Sequence, residues 1–135
     1  MSVQILQTDA VTRSVQVSRW FLRLAIVYLV CGIGLGMYMG AHEDFTFMPL
    51  HAHINLLGWV TSAIFALTYR LVPDMARTRL AWIHVIVSTV GFLLMMTGLA
   101  FLLQGDTSLK AVLITGETLS LASILIFAWL LFTRF

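Results

Sequence analysis

Charge is the scarcest property of this sequence. Asp, Glu, Lys and Arg make up 10% of its 135 residues, and 60% are apolar. A water-soluble domain carries charge on about a quarter of its residues, so water is not the main solvent of this chain. Cysteine is almost absent too. Cys31 stands alone inside an apolar run, which excludes a disulfide framework or a CxxC centre within one chain. The net charge of +2 is too small and too scattered for a nucleic-acid reader. Proline occurs only as Pro49 and Pro73, each where a helix is expected to begin or end. A cleavable signal peptide is not expected. The first apolar run starts near Trp20, and no A-x-A-like site follows it.

What is present is long apolar runs. A bilayer core takes about 20 helical residues, and four stretches qualify: about 20–41, 50–72, 80–103 and 109–133. No repeat or second domain interrupts them. The sequence therefore predicts an all-α integral membrane four-helix bundle, one domain over residues 1–135, with the lipid bilayer as its first partner. The segment before Trp20 carries Val3, Ile5, Leu6, Val11, Val15 and Val17. It reads as a short amphipathic helix on the membrane surface or as a frayed end.

The positive charges predict the orientation. Arg13, Arg19, Arg23, Arg70, Arg77, Arg79 and Arg134 fall on one side of a four-span layout, and only Lys110 falls on the other. The positive-inside rule makes the rich side cytoplasmic, with both termini in and the His42-Glu43-Asp44 loop out. Gly32, Gly36 and Gly40 recur at every fourth residue of the first span. That spacing makes one face small enough for close helix approach, within the chain or between chains.

Ionisable groups inside a span are costly and mark function by default. His51 and His53 start the second span, His84 lies near the start of the third, and Glu117 lies inside the fourth. Two residues along a regular helix is a rotation of about 200°. His51 and His53 thus face opposite ways and do not share one iron. Neutral imidazole suits heme iron, zinc or copper. His84 is expected roughly 20 Å from His53 along the membrane normal, from 1.5 Å per residue, too far for a shared iron. Beside Trp82 and Arg79 its plain reading is a snorkelling or hydrogen-bonded group. Glu117 lies roughly 12 Å deep. It reads as a proton relay, as a partner for a buried cofactor group, or as a protonated carboxyl hydrogen-bonded to a neighbouring helix.

The stretch Leu50-His51-Ala52-His53-Ile54-Asn55-Leu56-Leu57-Gly58-Trp59, continuing to Tyr69-Arg70-Leu71-Val72-Pro73, resembles the second helix of the catalytic subunit of the heme–copper oxidases. The nearest branch is the bacterial nitric oxide reductases. In that family a His-x-Asn-Leu-Leu start carries a low-spin heme ligand, and the match puts His53 in that position. The family's catalytic subunit has twelve helices in three four-helix arcs; this chain looks like one arc. The helices bearing the copper-site histidines have no counterpart, so a complete catalytic centre is not visible in one chain. Three copies would rebuild the arrangement with true symmetry.

The resemblance implies a membrane b-type heme protein of the bacterial inner membrane, serving electron transfer, heme handling or gas binding. His53 is the expected axial ligand, His51 serves a second site or a neighbouring subunit, and Trp59 packs the macrocycle. A bis-His iron favours electron transfer to a redox partner, and an open sixth position favours gas binding or redox catalysis. The opposite ligand is expected from His42 or from another copy, with a homotrimer as the first expectation. The alternative is a copper-binding or oxidase-assembly protein. Met37, Met39, His42, Met48, His51 and His53 supply thioether and imidazole, which suit Cu(I). A third reading is an accessory subunit without a cofactor.

Overall fold

The structure is a computed structural model. It describes residues 2–134, with side chains from Thr8 onward. Four helices follow one another: α1, Ser2–His42; α2, Met48–Leu71; α3, Leu80–Leu103; and α4, Lys110–Arg134. All four are long and apolar enough to cross a membrane. Their outward surface carries Val30 at 64%, Leu71 at 79% and Phe132 at 86% exposure, a surface that belongs in hydrocarbon. This is a multi-pass membrane protein. Among the described residues there is no strand.

α1 is one continuous helix rather than a span with a separate surface segment. The reason is a stripe with helical spacing. Ala10, Ser14, Val17, Phe21, Ala25 and Tyr28 are all buried, so the face that packs inside the span also packs before it. The Ser14 hydroxyl donates to the Tyr69 carbonyl at 2.5 Å, which ties this early turn to the end of α2. The valines of the early segment thus divide. Val17 is fully buried, and Val11 is exposed. The side chains of Val3, Ile5 and Leu6 lie outside the described residues.

The chain reverses at one end by the same device twice. Glu43 (φ 52°) and Gly105 (φ 83°) take the left-handed conformation that ends α1 and α3. The following N–H groups, of Asp44 and Asp106, reach back to the carbonyls of Met39 (3.2 Å) and Phe101 (3.1 Å). Each aspartate then accepts a bond from two residues on: Thr46 N–H at 3.0 Å and Ser108 N–H at 2.8 Å. At the other end α2 stops at Leu71 because Val72 precedes Pro73 and turns extended. A short 3-10 turn, Pro73–Ala76, leads to α3.

α1 lies along α2, and α3 pairs most closely with α4. In lipid no hydrophobic driving force joins helices, so close packing must do it. Glycines permit that in α3–α4. A Cβ on Gly98 would stand 2.6 Å from the Leu113 backbone, and one on Gly91 2.8 Å from the Ser120 nitrogen. Gly116 lies against the Met95 backbone more tightly still. Two core clusters result. One gathers Val17, Phe21, Phe65, Tyr69, Met75 and Leu130 at the end bearing both termini. The other gathers Tyr28, Phe92, Met95, Met96 and Leu113 toward the end bearing the histidine loop.

Candidate functional site

The candidate site lies where α2 leaves regular geometry. Met48–His53 is α-helical, Ile54–Val60 is π-helical, and Thr61–Leu71 is α-helical again. The side chains explain part of this. The Asn55 amide donates to the His51 carbonyl at 2.9 Å, the acceptor an α-helical Asn55 N–H would use. The Thr61 N–H and hydroxyl both turn to Leu56 O, five residues back, the hydroxyl at 2.8 Å. Single π turns inside α-helices are frequent at functional sites.

His51 faces α1. Its Nδ1 lies 2.9 Å from the Gly32 carbonyl. A carbonyl only accepts, so Nδ1 carries the proton. Its ring rests over Gly36, where a Cβ would meet Cε1 at 2.9 Å, and Asn55 fills the space over Gly32. These two glycines therefore serve contacts within the chain, whereas Gly40 faces open space. His53 is held differently. Its Nδ1 donates to the Pro49 carbonyl on its own helix at 2.7 Å, so in the neutral imidazole the lone pair is on Nε2. That is the tautomer a metal or heme ligand needs. His42 has the same form, with Nδ1 on Tyr38 O at 2.9 Å.

His53 shares its helix face with Leu57 and Thr61, at spacings of one and two turns. Across a gap stands α4, where Glu117 shares a face with Ile124, seven residues on. Leu57, Thr61, Ser120, Ser123 and Ile124 line one cavity between these helices, with Ser88 and Phe92 of α3 among its walls. Neither His53 nor Glu117 lines this cavity. Glu117 is exposed on the bundle surface, not buried. It lies just beyond the face that Leu113 and Gly116 press onto α3. Trp59 is taken up elsewhere: it packs against the cluster of Tyr28 and Phe92.

His84 is not a snorkelling group. It is fully buried among Phe21, Phe65, Tyr69 and Phe127, with ring centroids 4.6 to 5.8 Å away. The Tyr69 hydroxyl lies 3.0 Å from its Nδ1, and Nε2 has no partner. The sequence carries a signal for this pair that spacing alone does not reveal. Tyr69 and His84 each stand about one turn from the reversal between α2 and α3, on helices that fold back together.

Among the described residues no three His, Cys, Asp or Glu side chains gather into a metal-holding group. Of the methionines near the histidine loop, Met39 is 3% and Met37 71% exposed. Two imidazoles, His42 and His53, have Nδ1 on a carbonyl of their own helix and, among the described residues, Nε2 without a hydrogen bond, and either nitrogen would suit a heme iron. Comparison of the chain with protein-family models, curated proteins and solved structures found no match.

Proposed function

We propose that the protein is a membrane b-type heme-binding protein related in design to one four-helix arc of the heme–copper oxidase catalytic subunit. One observation carries this reading: the Nδ1–H of His53 is held by Pro49 O at 2.7 Å, so Nε2 is directed away from its own helix as a base. Heme, when bound, supplies one-electron or gas-binding chemistry. The chain's part is to fix the imidazole tautomer and to orient the ring through the Pro49 carbonyl. His51 does not serve beside it, because its Nδ1 is committed to Gly32. If heme is bound, His53 would hold it, and Glu117, a neighbouring copy in a homo-oligomer or a bound gas would supply any second contact.

The test is the visible spectrum of the purified protein. A Soret band is expected, lost in His53→Ala and kept in His84→Leu. A normal spectrum in the His53 variant refutes the ligand assignment, and a colourless protein that retains copper favours the copper reading. Native mass spectrometry in detergent reads the oligomer, with a trimer expected. The placement of the arginines further supports an inner-membrane protein with both termini cytoplasmic. Reporter fusions after Arg77 and at Phe135 are expected inside, and one at Asp106 outside.

A further inference from the structure

The cavity between α2, α3 and α4 measures about 40 Å³. Its wall is mostly apolar, with Leu57, Phe65, Phe92 and Ile124, but four hydroxyl residues interrupt it: Thr61, Ser88, Ser120 and Ser123. The span threonines show how a hydroxyl normally survives in lipid. Those of Thr68, Thr89, Thr97, Thr115 and Thr118 each donate to the carbonyl one turn back, at 2.7 to 2.9 Å. The three serines of the cavity do not. Ser120 Oγ is buried without a partner. Ser123 is 2% exposed, and among the described residues neither its hydroxyl nor that of Ser88 has a hydrogen bond. Thr61 has given its proton to Leu56 O, and its oxygen still accepts.

We propose that this cavity is a water-binding site inside the membrane, formed by the hydroxyls of Ser88, Ser120, Ser123 and Thr61. The size is sufficient: one water needs about 10–15 Å³ of such space, and wants two to four polar partners. The competing occupant is a lipid methylene entering between Leu57 and Ile124, which are 36% and 44% exposed. Hydrocarbon satisfies none of the hydroxyls, and an unpaired polar group in lipid is costly. The π-helical stretch belongs to the same design. It ends at Thr61, where the shifted register turns that hydroxyl onto Leu56 O and leaves its lone pairs to the cavity. The water site does not depend on heme being bound.

Water-edited solid-state NMR of the full chain in lipid bilayers tests the site. Magnetisation from water is expected to reach the Cβ signals of Ser88, Ser120 and Ser123 as early as it reaches the loop residue Ser108. It should reach lipid-facing Leu125 late. Ser120→Val, which fills the void, is expected to delay transfer to Ser88 and Ser123 to the Leu125 rate. Ser120→Ala, which removes one hydroxyl but leaves the void open, is expected to delay the transfer by a smaller amount, and serves if the valine variant does not fold. Serine signals as dry as Leu125 in the unaltered protein overturn the proposal, as does wild-type transfer to Ser88 and Ser123 in a folded Ser120→Val.

Discussion

The two ends of the bundle solve the problem of polar groups in lipid differently. At the end bearing the termini, polarity is enclosed. His84 is sealed among four aromatic rings and meets Tyr69 at 3.0 Å, and Ser14 binds the Tyr69 carbonyl. At the histidine end, polarity is left within reach. His53 keeps a nitrogen without a hydrogen bond among the described residues, and Glu117 is exposed. The first arrangement locks helices together. The second leaves groups available to something outside the chain, and the proposed heme ligand belongs to it.

Both ends depend on the α3–α4 contact, where the largest effect is expected. Gly116→Leu drives a side chain into the Met95 backbone and is expected to cost about 3 kcal/mol, with the helix pair forced apart. Gly40→Ala, facing open space, is expected to be neutral or to gain about 0.5–1 kcal/mol from helix propensity. Thermal unfolding in detergent measures both. Equal effects at the two glycines would sink the claim that close backbone approach holds this pair.

Tyr69→Phe removes the one hydrogen bond of His84 and strands the imidazole in an apolar cage. An expected loss of about 1–3 kcal/mol follows from leaving a buried polar group unpaired. Adding His84→Leu should recover most of it, because replacing both partners by apolar groups removes the penalty. If the double variant is less stable than either single one, the pair has a role beyond packing. At the histidine end Gly36→Ala meets only the His51 ring edge at 2.9 Å, the far part of a rotatable side chain. About 1 kcal/mol or less is expected, together with a shift of the His51 imidazole resonances and none at His84.

The smallest effect concerns the loop before α2. The Asp44 carboxyl is held below its ordinary value of 3.8 by bonds from the Thr46 hydroxyl and N–H. A depressed carboxyl contributes stability above its unfolded value and loses it as pH falls through the folded one. That contribution is therefore present above about pH 4 and lost below it. Thr46→Val, which keeps the N–H bond, should move the Asp44 titration part of the way back up. NMR titration of the Asp44 side chain reads this, and an unmoved curve would show that the hydroxyl at 2.6 Å does not set it. The matching Asp106, lowered by Ser108, serves as the internal control.

Much of the fold was legible because span length and apolar composition are local properties. The four apolar runs agree with the four helices to within a few residues at most ends, and Pro49, Pro73 and Gly105 mark their limits. The early part of α1 was less legible. Its apolar residues fit a surface helix equally well until Tyr69 and Arg77 are known to lie beside Ser14 and Arg13. The glycine face of α1 was visible as spacing, but its use by His51 and Asn55 was not. Gly91 and Gly98 share a face of α3, seven residues apart, but that spacing does not say that the partner is α4, where Gly116 meets the Met95 backbone.

Composition, helix rise and the conformational limits of proline and glycine were enough to require four membrane-length helices and to mark where they stop. They were also enough to pick out the ionisable residues that hydrocarbon would resist. None of these properties needs a neighbouring helix. Packing alone sealed His84 inside an aromatic cage, put Glu117 on the outside of the bundle, and gave His51 and His53 separate fates. A few tens of degrees of rotation about a helix axis move a side chain from a neighbouring helix to the lipid, and that rotation is set by how the helices meet.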